Sequence, residues 1–179
     1  MTPLRRGLLL AGLGALALGG GAATQLWRLG LIGTAAADRA AGTAILEHRY
    51  QGLDGQVARL DHLRGRVLIV NFWATWCEPC REEIPLFLRL RREYAAKRVE
   101  FAGIAIDQAV KVIAFAEQFR IDYPLVLAGM DAIELARRAG NQAGVLPYTV
   151  VLDREGSLAA RLLGQVTEDE LRASINPLI

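Results

Sequence analysis

The sequence predicts an α/β protein in which a central mixed β-sheet is flanked by helices, with an N-terminal membrane anchor helix or signal segment ahead of it. Apolar β-type runs alternate with helical patterns in the order βαβαβα, followed by a β-hairpin and a last helix. The run Val67–Phe72 is almost continuously apolar and β-branched, as in a strand buried on both faces. A length of 179 residues without an internal repeat suits one domain plus a short appendage.

Residues 1–28 are predicted to be the membrane segment. Arg5 and Arg6 precede the uncharged run 7–23, which is the pattern of a signal-anchor or a signal peptide. The 21 residues 7–27 reach the length of about 20 that a helix needs to span a bilayer. Because basic residues stay on the cytoplasmic side, we expect an uncleaved anchor that holds the domain on the periplasmic side of a bacterial inner membrane.

Two alternatives apply to the same segment. The small residues 35–37 before Asp38 have the form of a signal-peptidase site, and cleavage there would release a soluble periplasmic protein. The pair Arg5-Arg6 also faintly resembles a twin-arginine export signal. Both alternatives place the domain outside the cytoplasm.

The region after the anchor is predicted in three parts. Residues 29–44 are rich in alanine and glycine with little periodicity, so we expect a linker there. The folded domain is then residues 45–179. It begins with two short strands around a turn at 52–56 and a helical turn at 61–65, and the central strand follows.

Helices and strands alternate through the rest of the domain. A helix is predicted over Glu78–Lys97, with a kink at Pro85 because proline lacks the backbone donor. After the strand Val99–Ile106, Asp107 is expected to cap a helix that runs to Phe119 or Arg120. The remaining elements are, in order, the strand Tyr123–Leu127, a helix from Asp131 to near Gly140, the strand Val145–Asp153, its hairpin partner Ser157–Leu163, and a helix that the capping-box pair Thr167 and Glu170 opens and Pro177 stops.

Charge and histidine content exclude two classes of function. Residues 1–37 hold three arginines and no acid, and the rest of the chain holds 18 basic and 19 acidic residues. Because basic and acidic residues are nearly equal in number there, we expect no basic surface for binding nucleic acid. His48 and His62 are isolated, so no metal site is expected.

Cys77 and Cys80 are the only cysteines of the chain, and they lie between an apolar strand and a predicted helix. Two residues between cysteines at such a junction are typical of a redox dithiol. Free N–H groups and the helix dipole stabilise a thiolate at the helix N-terminus, so Cys77 is the expected nucleophile. Cys80, one turn later, is the expected resolving thiol. A static disulfide is disfavoured because so small a loop has little entropic value.

The two residues between the cysteines affect their chemistry. Pro79 favours the first helical turn and stiffens the ring that a disulfide would close. The Glu78 carboxylate should raise the pKa of the Cys77 thiol, because a negative charge disfavours a neighbouring thiolate. A higher thiol pKa suits a reductant better than a strong oxidant.

The segment Asn71–Arg81, with the sequence NFWATWCEPCR, resembles the active-site stretch of thioredoxin-like proteins of the TlpA/ResA type. The resemblance covers residues 45–179 and implies the thioredoxin fold. It also implies that Pro147 is a cis-proline facing the cysteines, and that Leu146 before it belongs to the surface that grips a substrate backbone.

The same resemblance extends to further positions. Asn71 stands where cytoplasmic thioredoxins carry a buried aspartate, and Glu83 matches a glutamate beside the cysteines of ResA-like reductases. A carboxylate partly buried there would have a raised pKa and could pass protons. Tyr148 departs from the usual small polar residue, and either contacts substrate or covers the core. The predicted site therefore comprises Cys77, Cys80 and Glu83 as catalytic residues and Trp76, Glu78, Pro79, Leu146 and Pro147 as substrate-binding residues.

These features predict a membrane-anchored thiol-disulfide reductase that acts on disulfides of exported proteins, apocytochrome c being one candidate. Its expected partners are such a substrate and a membrane thiol-electron donor, and no cofactor is expected beyond the Cys77–Cys80 disulfide. A thiol peroxidase of the peroxiredoxin type is an alternative, but residues 70–77 lack the proline of the peroxidatic motif. A copper-binding module would need a further histidine or methionine near the cysteines.

Overall fold

Seven strands form one mixed sheet in the part of the chain that this computed structural model describes, residues 34–179. The strands are β1 (Tyr50–Gly52), β2 (Val57–Ala58), β3 (Val67–Trp73), β4 (Val99–Ala105), β5 (Leu125–Leu127), β6 (Tyr148–Leu152) and β7 (Leu158–Leu163). Their order across the sheet is β2-β1-β5-β4-β3-β6-β7. Every residue of β3, β4 and β6 is buried, because both faces of the sheet centre are covered.

The register of the central strands determines which loops meet. β3 is parallel to β4, with Val67 opposite Val99, and antiparallel to β6, with Phe72 opposite Tyr148. The carboxyl ends of β3 and β4 therefore lie at the same edge of the sheet as the amino end of β6. The loops that follow Trp73 and Ala105, and the segment that precedes β6, meet at this edge.

Five α-helices of the described residues cover the sheet. They are α1 (Ala35–Glu47), α2 (Glu78–Tyr94), α3 (Ala109–Phe119), α4 (Met130–Arg138) and α5 (Glu168–Ile175). On one face, Phe87 of α2 and Leu171 of α5 pack in a cluster with Ile69 of β3. On the other, Ile45 of α1 joins a cluster with Val70. The predicted fold class is confirmed for this part of the chain.

The linker prediction is wrong for residues 35–44, which lie in α1. Ala41, Gly42, Ile45 and Leu46 are buried, so α1 is part of the domain, which begins at Ala35 instead of residue 45. A Cβ added to Gly42 would lie 1.9 Å from the Gly156 carbonyl oxygen. Small side chains thus allow close packing of α1, and they also weaken the helical periodicity on which a sequence prediction depends.

One local prediction needs correction and another is confirmed. Asp107 does not cap α3, whose N-cap is Gln108 without a side-chain cap bond. Pro85 lies exposed inside α2, and the helix continues through it to Tyr94. The capping box is present, with Thr167 accepting from the Glu170 N–H and the Glu170 carboxylate accepting from the Thr167 N–H.

The predicted anchor, residues 1–28, lies outside the described residues. Within 34–179, no helix is both long and apolar enough to cross a membrane.

Candidate active site

Cys77 and Cys80 form a disulfide at the start of α2. Cys77 is the N-cap residue and has extended backbone angles, and Pro79 lies in the first turn, where its missing N–H costs nothing. Cys77 is 6% exposed and Cys80 is fully buried. A partner can therefore reach the first sulfur more easily than the second.

The segment before β6 lies against the cysteines. The Leu146–Pro147 peptide bond is cis, as the resemblance implied. Leu146 is half-buried and packs on the apolar cluster that contains both cysteines. Pro147 is buried, and its carbonyl accepts the Gly164 N–H at 3.0 Å.

The other predicted substrate-binding residues differ in exposure. Trp76 is 68% exposed, which is unusual for so large an apolar side chain. Glu78 is exposed and Pro79 half-buried. Val145, which the sequence did not single out, is also exposed beside Leu146.

Glu83 is buried in the second turn of α2, with 2% of its surface exposed. Its Oε1 accepts from Asn71 Nδ2 at 2.8 Å, and its Oε2 accepts from the Val166 N–H at 3.1 Å. Burial raises the pKa of Glu83 to about 7, although both hydrogen bonds act to lower it. The carboxyl group can therefore gain or lose a proton near neutral pH.

Asn71 connects this carboxyl group to the sheet. Its Nδ2 also donates to Thr149 Oγ1 of β6 at 2.9 Å, and Asn71 and Thr149 are both buried. The sequence placed Asn71 near the site by resemblance only, and it indicated neither Thr149 nor Val166. Nothing in their local sequence signals the contact, since Val166 is 83 residues from Glu83.

Tyr148 covers the core and is not on the substrate surface. It is 2% exposed, and its hydroxyl donates to the Ala139 carbonyl at 2.7 Å. Burial raises the pKa of Tyr148 to about 12, so the phenol stays neutral.

The described residues bring together no group of three or more His, Cys, Asp or Glu side chains that could hold a metal ion. His48 instead contacts Asp131, and His62 is exposed.

Three features define the thioredoxin-like class of redox proteins. They are a mixed sheet, a disulfide at the start of a helix, and a cis-proline in the segment that packs beside that disulfide. The family model described as the AhpC/TSA family matches residues 40–161. This chain belongs to that family, and within it is a ResA-like, thioredoxin-family thiol-disulfide oxidoreductase.

Known proteins support this placement. The thiol-disulfide oxidoreductase ResA of Geobacillus thermodenitrificans is 28% identical over 140 residues, which are 78% of each chain. The thioredoxin-like protein YneN of Bacillus subtilis is 30% identical over 128 residues, 69% of this chain and 72% of that one. A secreted thiol-disulfide isomerase of Corynebacterium glutamicum has a similar structure, with a TM-score of 0.66 and 28% identity over 74% of this chain and 83% of that one.

Proposed function

We propose that this protein reduces disulfides of exported proteins through the dithiol form of Cys77 and Cys80. The Cys77 thiolate attacks a substrate disulfide, forms a mixed disulfide and expels one substrate thiolate. Cys80 then attacks the Cys77 sulfur, which forms the Cys77–Cys80 disulfide and releases the second thiolate. Two electrons and two protons pass to the substrate in one cycle, and a membrane thiol donor restores the dithiol.

The buried carboxyl group of Glu83 is the observation that carries the proposal. Cys80 is fully buried, so bulk water has little access to its proton. Glu83 lies three residues further along the same helix, and its pKa of about 7 lets it accept that proton at neutral pH. A proton acceptor beside the resolving thiol serves the step that releases reduced substrate.

The proposed substrate surface joins Trp76, Leu146 and Val145 around the less buried sulfur of Cys77. These side chains would contact apolar residues that flank a substrate disulfide, while Glu78 and Pro79 border the contact on the helix side.

The proposed location is the periplasmic side of the inner membrane. The support is the pattern of residues 1–28 together with the extracytoplasmic character of relatives such as the secreted isomerase. Apocytochrome c is one candidate substrate.

The reduction potential of the Cys77–Cys80 pair, measured against glutathione, tests the direction of electron flow. A reductant is expected to lie near or below the value of about −270 mV of thioredoxin, and a value near about −120 mV, as in strong oxidants, would overturn the proposal.

A trapping experiment tests the roles of the two thiols. Cys80→Ser should accumulate a mixed disulfide with a disulfide-containing protein, whereas Cys77→Ser should form none. Hydrogen peroxide consumption that survives Cys80→Ser, with sulfenic acid on Cys77, would identify a thiol peroxidase instead.

A further inference from the structure

A carboxylate that follows β4 holds the loop that leads to Cys77. Asp107 Oδ2 accepts the Thr75 N–H at 3.2 Å and also accepts a hydrogen bond from the Thr75 hydroxyl. Asp107 Oδ1 accepts the Gln108 N–H at 2.7 Å. Only 4% of the Asp107 side chain is exposed.

The sheet register brings this pair together. Thr75 lies between the end of β3 and Cys77, and Asp107 lies two residues after the end of β4. Because the two strands are parallel neighbours, their carboxyl ends are adjacent. The Ile106 N–H donates to the Trp73 carbonyl at 2.9 Å at the same place.

The loop is thus fixed at three points. The backbone bond to Trp73 holds its beginning, and the Cys77 N–H holds its end by donating to the Ala74 carbonyl at 3.2 Å. Between them, Thr75 is held by Asp107. Trp76, the next residue, is 68% exposed.

We propose that Asp107 is a positioning residue for the reaction at Cys77. Through Thr75 it holds residues 74–76 in the conformation from which the Cys77 sulfur and the Trp76 ring face an approaching protein disulfide. This role rests on the proposed nucleophilic function of Cys77, and it assigns Asp107 in place of the helix-capping role that the sequence suggested.

The chemistry of the pair requires a carboxylate. Both oxygens of Asp107 accept hydrogen bonds, so an asparagine would turn a donor toward another donor at one of them. Burial by itself raises the pKa of Asp107, but the hydrogen bonds from Thr75 and Gln108, together with the nearby Lys111 ammonium, outweigh it and the pKa is lowered. The group therefore remains charged at neutral pH and accepts strong, charge-assisted hydrogen bonds.

Four variants of the full chain test the proposal. Thr75→Val replaces the hydroxyl by a methyl group at equal volume, and Thr75→Ser keeps the hydroxyl. Asp107→Asn and the double variant Thr75→Val/Asp107→Asn complete a double-mutant cycle. Ser174→Ala is the control for loss of a hydroxyl hydrogen bond elsewhere, since Ser174 donates to the Glu170 carbonyl in α5.

The measurement is the rate constant for the reaction of the reduced protein with the disulfides of insulin, followed under conditions where near-ultraviolet circular dichroism shows each variant to be folded. Thr75→Val and Asp107→Asn are each expected to lower it about tenfold, the effect of one charge-assisted hydrogen bond. The double variant should be no slower than the slower single variant, and Thr75→Ser should recover the rate to within about twofold.

Other outcomes overturn the proposal. Additive losses of about a hundredfold in the double variant would show that the two residues act separately. A wild-type rate for Thr75→Val, or equal losses for Thr75→Val and Ser174→Ala, would show that the hydrogen bond has no positioning role.

A second substrate separates this proposal from the proposed function. If wild-type protein does not reduce insulin, the reductase proposal fails. The same cycle is then measured with the small disulfide 5,5′-dithiobis(2-nitrobenzoate), whose reaction reports the Cys77 thiolate alone. Coupling between Thr75 and Asp107 in that rate would still support the positioning role, and its absence would exclude it.

Discussion

Glu83→Gln should change how the stability of the oxidised protein depends on pH. Burial raises the pKa of Glu83 from 4.5 to about 7 in the folded state, so the folded protein binds this proton more tightly than the unfolded chain does. The resulting stabilisation is fully present below pH 4.5, and it is lost as the pH rises through 7. Glutamine has no proton to lose, and the variant should not show this loss.

The size of the effect follows from the shift. At 1.36 kcal/mol for each pKa unit, the free energy of unfolding of the wild type should fall by about 3 kcal/mol from this residue between acid and alkaline pH. In the variant, the amide must turn its NH₂ toward Asn71 Nδ2 or the Val166 N–H, both of which are donors. That conflict should cost about 1–3 kcal/mol at every pH. At low pH, the free energy of unfolding of Glu83→Gln should therefore be lower than that of the wild type. As the pH rises, this difference in unfolding free energy should narrow or reverse.

Urea unfolding of the oxidised protein between about pH 4.5 and 9 gives the free energy of unfolding as a function of pH for the wild type and for Glu83→Gln. Glu82→Gln is the matched control, because Glu82 is the neighbouring residue of α2 and is exposed. Its curve should run parallel to that of the wild type. If the Glu83→Gln curve also runs parallel, the pKa of Glu83 is not raised, and the proton-acceptor role loses its basis.

Two further substitutions test other parts of the structure. Asn141 is buried, its Nδ2 donates to the Val145 carbonyl at 2.8 Å, and its Oδ1 accepts the Val145 N–H at 3.2 Å. Asn141→Asp should raise the KM for a protein disulfide about tenfold by loosening the segment before Pro147. An equal rise in the KM for a small disulfide would contradict this. Gly42→Ala should lower the free energy of unfolding by about 3 kcal/mol, because its Cβ would overlap the Gly156 carbonyl. Gly55→Ala, with open space around it, should cost about 1 kcal/mol for its positive φ alone, and equal losses would contradict the packing of α1.

The parts of the fold that the sequence predicted well depend on neighbours in the chain. The strand before Cys77 is read from an apolar run that only Asn71 interrupts, and it ends within one residue of its predicted end. The capping box is a contact between residues three apart, so Thr167 and Glu170 suffice to predict it.

The failures have a different origin. Residues 35–44 look like a linker because small side chains carry little helical pattern. Only the approach of Gly42 to Gly156 shows why small residues are needed there. Asp107 has the composition of a helix cap, but Thr75, 32 residues earlier, competes successfully for the same carboxylate.

The sequence by itself determined the close pairing of two cysteines and its place at a helix start, because spacing and periodicity are local properties that two cysteines and a neighbouring strand express directly. Only the tertiary structure decided how Glu83 is buried and which donors face it. Asn71 and Val166 lie 12 and 83 residues away in the chain, and the sheet register and the turn after β7 bring them to one carboxyl group. The raised pKa of Glu83 is set by desolvation, which depends on everything packed around the group and is written in no single motif.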